Sequence, residues 1–388
     1  MHLPTGAPLD ASKLSVTLST SDAQLPPSSS LVFGQTFSSH MLTVPWSLAS
    51  GWGVPEIKPY GPLMLDPSAT VLHYAQELFE GMKAYKDKQG RSRLFRPDLN
   101  MQRMRNGANR MAFPDFDPEE LIKLIQELVK VDDRWIPTDP GCSLYIRPTM
   151  IGTRASLGVG PSTEVLLFVI CSPVAKYYSS GAKPISLLCS SRSVRAWPGG
   201  TGDCKFGSNY GPCVAPQIEA AQQGYQQVLW VFGEDDEWTE VGMMNAFVVL
   251  RLPDGALELA TPSLATGLSL PGVTRDSILG LARQHAAGQI QLPNVDPQTK
   301  LVVSERKITM SEIVRAQAEG NLVEVFGSGT AAVITSVEKI GYRGQEIKIP
   351  VDGGDEGESG FGRFAGSMVK VLNEIQYGER ESEWSWLC

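Results

Sequence analysis

Paired cysteines, clustered histidines, long apolar runs and blocks of basic charge are all missing from this sequence. Six cysteines stand at positions 142, 171, 189, 204, 213 and 388, none in a Cys-x-x-Cys pair. A chain of 388 residues buries a core without disulfide staples, so the reading is of reduced thiols in a cytoplasmic compartment, with a mitochondrial one left open. The four histidines lie apart at 2, 40, 73 and 285, which gives no metal-ligand spacing and no expectation of a metal. No apolar run approaches the ~18 residues of a membrane span. Lysine and arginine total 34 against 42 acidic residues, a net charge of −8. That balance, without a basic stretch, argues against nucleic acid and anionic membranes as partners. A small anion held by a few local arginines remains compatible with it.

The first thirty residues are rich in Ser, Pro and Thr, with one Lys, no Arg and two Asp. They carry neither the apolar segment of a secretory signal nor the arginines of a transit peptide, and read as a disordered arm. Beyond them, strand-like and helical patterns alternate, as in a mixed α/β protein, and the length makes two domains the default. LIKLIQELVKV reads as a helix capped by Asp117 and started by Pro118, with Leu121, Leu124, Ile125, Leu128 and Val129 on one stripe. SLYIRPTMIG and VLLFVICSPV read as strands, the second apolar throughout and therefore buried on both faces. The loop KYYSSGAKP suggests a boundary, giving a smaller domain over 31–176, a connection over 177–184 and a larger domain over 185–388. In the second half, TEVGMMNAFVVL reads as a strand, GVTRDSILGLARQ as a helix starting near Gly272, and ITMSEIVRAQAEG as a helix with a Thr309–Glu312 capping box. VDGGDEGESGFG is an acidic, glycine-rich loop with no assigned role.

The chemistry centres on GDCKFGSNYGP. A lysine on a helix surface needs no glycines, whereas one that meets a bulky ligand near the backbone does. Glu240, in WTEVGMMN, is an acid inside a strand-like stretch. LPGVTRDS and EVFGSGTAA offer backbone N–H groups at a helix start and at a glycine-rich turn, both suited to a phosphate. Each feature alone is more often structural. Together they suit a cofactor bearing an aldehyde, a basic ring nitrogen and a phosphate, which is the donor pattern of pyridoxal phosphate.

The motifs GDCKFGSNYGP, TEVGMMN, LPGVTRDS and EVFGSGTA, preceded by HYAQELFEGMKAY, LFRPDLNMQRM and LYIRPTMIGT, resemble those of the branched-chain amino acid aminotransferases in the same order. The resemblance runs from about Val32 to Tyr377. It implies a two-domain enzyme of pyridoxal phosphate fold type IV, with the cofactor at the domain interface and in the larger, C-terminal domain. It implies that Lys205 carries the cofactor as a Schiff base and moves the proton between substrate Cα and cofactor C4′. Glu240 would pair with the pyridine nitrogen and Tyr210 with the phenolic oxygen. Arg103, the backbone of Val273 and Thr274, and Thr330 would hold the phosphate. Phe33, Tyr74, Phe79, Tyr145, Tyr177 and Ala331 would wall the side-chain pocket, with Arg147 at its polar edge. Leu157 and Val159 would reach the neighbouring subunit's pocket in a homodimer. The substrates implied are leucine, isoleucine and valine, with 2-oxoglutarate and glutamate as the partner pair.

Two departures stand out. Ala332 and Thr335 occupy the positions where some members carry a redox cysteine pair. Met243 replaces a small polar residue near the pocket floor and would reshape the side-chain preference. Other class IV enzymes share the lysine and the acid: D-amino acid aminotransferases, amine transaminases and aminodeoxychorismate lyase. A specialised transaminase for a related apolar amino acid or amine stays open, as does, more remotely, a non-catalytic descendant that binds the cofactor.

Overall fold

The computed structural model describes residues 6–176, 183–190, 192–351 and 360–388. Tyr177, most of the expected 177–184 connection and most of the acidic glycine-rich loop lie outside the described residues. The chain divides into two compact units. The first comprises Met1–Ser179, Cys204–Ser208 and Glu374–Cys388, and the second Ser180–Asp203 and Asn209–Asn373. This differs from a single cut near residue 180. Cys204 and Phe206 belong to the apolar core of the first unit, and Ser385–Leu387 pairs with Ser92–Phe95 as a strand of its sheet.

In the first unit the described residues form a ten-stranded sheet. Its main path runs Ser15–Val16, Glu56–Pro59, His40–Ser47, Glu164–Val174, Ser143–Gly152, Met82–Lys86, Ser92–Phe95 and Ser385–Leu387. The helices Pro97–Arg110 and Pro118–Val131 belong to this unit. The second starts as its sequence dictates: Asp117 Oδ1 accepts the Glu119 N–H at 2.9 Å, and Leu121, Leu124, Ile125, Leu128 and Val129 are buried. Glu164–Val174 is less enclosed than its composition suggests. Val165, Leu167, Val169 and Cys171 are buried, but Leu166, Phe168 and Ile170 are only half-buried. The strand is antiparallel to both neighbours, and antiparallel sheets tolerate one open face where parallel ones do not.

The first residues are a second correction. Residues 6–30 are not a free arm: Leu9 is buried, the Ala11 N–H donates to Glu120 at 2.6 Å, and Ser15–Val16 pairs with Glu56–Ile57. His40 completes the attachment. Its Nε2 accepts the Ser19 N–H at 2.7 Å while Nδ1 donates to buried Asp132 at 2.7 Å. A few anchored groups hold a segment whose polar composition alone would leave it disordered.

Among the described residues the second unit carries a nine-stranded sheet. A stretch read as one strand is here a hairpin, Glu237–Val241 and Met244–Arg251, turning at Gly242–Met243 with Gly242 at φ 57°. Glycine first in a two-residue loop is the signature of a turn that matches strand twist. The helix Met310–Ala318 has the expected cap, with Thr309 Oγ1 accepting the Glu312 N–H at 3.3 Å.

Glu324, on the strand Leu322–Gly329, is 2% exposed and accepts the Phe364 and Ala365 N–H groups, each at 2.9 Å. Burial nevertheless raises its pKa to about 7. A carboxyl whose folded pKa lies above its unfolded one favours folding below the unfolded value, and the advantage is lost as pH rises through the folded value. Wild-type stability is therefore expected to fall by about 3 kcal/mol between roughly pH 4.5 and pH 7, relative to Glu324→Gln. Denaturant melts of both proteins across that range check it; parallel profiles would show that the carboxyl does not titrate there.

Candidate active site

Lys205 lies in an irregular stretch between Cys204 and Phe206, both buried. Phe206 forms a bridge with Leu78, and the Lys205 carbonyl accepts the Phe79 N–H at 3.0 Å. This fixes the backbone and places the half-buried lysine amine 4.3 Å from the centre of the Phe79 ring. One of the neighbouring glycines has a reason other than room for a ligand. A Cβ on Gly207 would come within 1.7 Å of Glu77 Oε1, so that position is small because a carboxylate of the same unit fills the space.

The strand Ser143–Gly152 alternates faces, so Tyr145, Arg147 and Thr149 share one. The Arg147 guanidinium stands 4.7 Å from the Phe79 ring centre and donates to the Tyr145 hydroxyl at 3.2 Å. Phe33 meets Tyr145 edge-on, with centroids 4.9 Å apart. Phe33, Phe79, Tyr145, Arg147 and Lys205 are thus brought together in the first unit. Two cations beside one aromatic ring, with Arg147 Nε buried and unpartnered, make a surface that an anion would complete.

Tyr74 and Leu157 meet through a hydrogen bond from the Tyr74 hydroxyl to the Leu157 carbonyl, in a loop where Leu157 is 65% and Val159 80% exposed. Arg103 is buried and forked onto Glu80, with Nε to Oε1 and Nη2 to Oε2 both at 2.7 Å. Asn100 also donates to Glu80 at 2.8 Å. No sequence signal points to this partner, because Glu80 sits 23 residues away, in the connection between the strands Glu77–Phe79 and Met82–Lys86.

In the second unit, Glu240 is 2% exposed on Glu237–Val241. Its Oε1 accepts the Leu270 N–H at 2.8 Å and its Oε2 pairs with Arg195 Nε at 3.1 Å. Val273 and Thr274 are buried in the first turn of Val273–Ala286. That helix has Gly272 at its N-cap and no side-chain cap, an arrangement suited to an anion. Ser328 Oγ, on the strand leading to the Thr330–Ala332 turn, is buried without a partner. Val333 follows that turn at φ 60°, with the Ile334 N–H donating to the Ala332 carbonyl at 2.8 Å. A β-branched residue in the left-handed region is strained, and Thr330 and Ala331 are held just before it. Tyr210 is half-buried and precedes the short helical turn Gly211–Cys213. Met243, at the hairpin turn, is 57% exposed.

The first unit offers a half-buried amine, the kind of group an aldehyde requires; the second, by itself, offers a buried carboxylate suited to a basic ring nitrogen and an uncapped helix start and an orphaned hydroxyl suited to a phosphate. All six cysteines are free, and burial pushes Cys213 up and Cys189 to about 12, so these two stay as thiols. Among the described residues no group of His, Cys, Asp and Glu could hold a metal ion, and no helix is long and apolar enough to cross a membrane.

The family description "Amino-transferase class IV" matches residues 77–340. The cytosolic branched-chain-amino-acid aminotransferase of Saccharomyces cerevisiae is 49% identical over 98% of this chain and 98% of its own length. The mitochondrial enzyme of the same yeast is also 49% identical, over 99% of this chain and 94% of its own. Among solved structures, the Escherichia coli branched-chain amino acid aminotransferase superposes with a TM-score of 0.68 at 24% identity, covering 90% of this chain and 98% of that one. The branched-chain amino acid aminotransferase of Thermobaculum terrenum in its PLP-form gives 0.68 at 21% identity, covering 91% and 99%. At that identity the structures speak for the fold.

Proposed function

The chain belongs to the class IV aminotransferases, and from that premise we propose that it transfers the amino group of leucine, isoleucine or valine to 2-oxoglutarate, with pyridoxal phosphate as cofactor. The observation that carries the proposal is the placement of the Lys205 amine, held by the backbone pairing of Phe79 beside an arginine and aromatic rings. When bound, pyridoxal phosphate supplies a ring that accepts the electron pair left as substrate Cα loses its proton.

The protein's own groups do the rest. Lys205 would hold the aldehyde carbon and, with its amine free, would carry the proton between substrate Cα and cofactor C4′. Glu240 keeps a proton on the ring nitrogen, because an adjacent carboxylate favours the cationic ring. Tyr210 hydrogen-bonds the phenolic oxygen. Thr274, Val273 and Thr330 hold the phosphate. Arg103, oriented and charge-paired by Glu80 through Nε and Nη2, is the further candidate for holding the phosphate. Phe33, Phe79 and Tyr145 exclude water from the substrate side chain, and Arg147 with the Tyr145 hydroxyl receives the second carboxylate of 2-oxoglutarate. Leu157 and Val159, exposed in this chain, complete the pocket of a second copy in a homodimer.

Spectra of the purified protein test this. A violet absorption band is expected to fade on addition of L-leucine alone and to return with 2-oxoglutarate. A band discharged only by other amino donors would overturn the substrate assignment and leave the cofactor in place. No band after added pyridoxal phosphate would overturn both.

A further inference from the structure

Glu240 and Asn245 lie directly opposite across the Gly242–Met243 hairpin, and Asn245 lies opposite Ser328 on the next strand. Residues opposed in antiparallel ladders share a face. The three side chains therefore form a row across three strands, and all are buried, at 2%, 5% and 1% exposure. A row of polar groups on a sheet interior is costly unless each has something to hold.

What two of them hold is one residue. The Leu270 N–H donates to Glu240 Oε1 at 2.8 Å, and the Leu270 carbonyl accepts from Asn245 Nδ2 at 2.8 Å. Both peptide groups of Leu270 are thus gripped from adjacent strands, which fixes position and orientation as one bond could not. Arg195 adds a grip upstream: it pairs with the other oxygen of Glu240 and lies 3.4 Å from the Leu268 carbonyl. Shortly beyond Leu270, after the Gly272 N-cap, the helix Val273–Ala286 begins. Asn245 Oδ1 stands so close to Gly272 that a Cβ there would lie 2.0 Å from it. This explains a glycine N-cap where Ser, Thr, Asp or Asn would ordinarily stabilise a helix better.

We propose that Asn245 is a positioning residue that registers the start of this helix against Glu240. The inference rests on the reading that the helix start receives the cofactor's phosphate and Glu240 its ring nitrogen. The ring and the short arm that carries the phosphate would confine those two points to a narrow span, and Asn245 sets the matching span in the protein. In this role it acts through Leu270 and Gly272.

The test uses the full-length chain freed of cofactor and two ligands without an aldehyde, so that Lys205 chemistry does not enter. These are pyridoxamine 5′-phosphate and pyridoxamine, which lacks the phosphate. Binding is followed by fluorescence titration in wild type, Asn245→Leu and Asn245→Ser. Leucine keeps the volume and loses the donor; serine keeps a donor and loses volume. For Asn245→Leu, affinity for the phosphorylated ligand is expected to fall about tenfold, with pyridoxamine affinity unchanged within about twofold. Asn245→Ser is expected to lose less than Asn245→Leu. If Asn245→Leu binds as wild type, if both ligands weaken equally, or if serine is the worse variant, the residue only fills space and the proposal fails. If the wild type itself shows no preference for the phosphorylated ligand, it is the phosphate reading of the helix start that fails.

Discussion

Lys205→Ala is expected to lower kcat by at least about 10⁴-fold, the upper end of what a positioned proton-transfer group contributes, since this residue is also the nucleophile. The fold should survive. Lys205 is half-buried in an irregular stretch that backbone pairing and the buried Phe206 hold in place. Melting within a few degrees of wild type is therefore the companion expectation. Lys205→Arg separates two roles that alanine confounds. Arginine keeps a cation beside Phe79 but stays protonated, so it neither bonds an aldehyde nor takes up a proton. Both variants should be equally inactive and lack the violet band. Turnover by the arginine variant within about tenfold of wild type would mean that Lys205 serves only as a charge, well short of the loss a proton-transfer group predicts.

Glu240→Gln should lower kcat by about 10–1,000-fold, the span set by the one to three pKa units that an adjacent carboxylate adds to a cation. It should also destabilise the fold, because Arg195 is then left buried without its anion. Breaking one side of such a pair typically costs about 3–5 kcal/mol. The double variant Arg195→Gln with Glu240→Gln tells the two effects apart. Removing both charges should return most of the stability and none of the rate, measured by denaturant melts and steady-state kinetics on the same preparations. Recovery of turnover together with stability would make the rate loss a folding effect and take the electronic role away from Glu240.

The parts of this protein that local rules govern were legible. Asp117 and Pro118 start a helix whose apolar stripe is buried, and Thr309 with Glu312 starts another. Of the proposed site, the lysine, the acid and the two anion-suited turns are the features that residue type and spacing make visible. What escaped depended on pairing. With TEVGMMNAFVVL taken as one strand, Glu240 and Asn245 are simply five positions apart; as a hairpin about Gly242–Met243 they face each other. Gly242 was the available signal. Glu80 and Arg195 had none, since a buried ion pair joins residues whose closeness only the fold decides. The strain at Val333 was equally hidden, for valine in the left-handed region contradicts its own preference. Residues 6–30 misled because composition counts polar atoms and cannot see that His40 and Glu120 will anchor them.

The ten-stranded sheet of the first unit ends on both sides in very short strands, Ser15–Val16 at one margin and Ser385–Leu387 at the other. Each comes from near one end of the chain and covers backbone groups that would otherwise template the addition of a foreign strand. Glu56–Pro59 and Ser92–Phe95 are thereby shielded, and the segments that shield them present only two or three residues each. The two short strands thus act as guards against aggregation. A substitution that loosened either would threaten solubility before it touched catalysis.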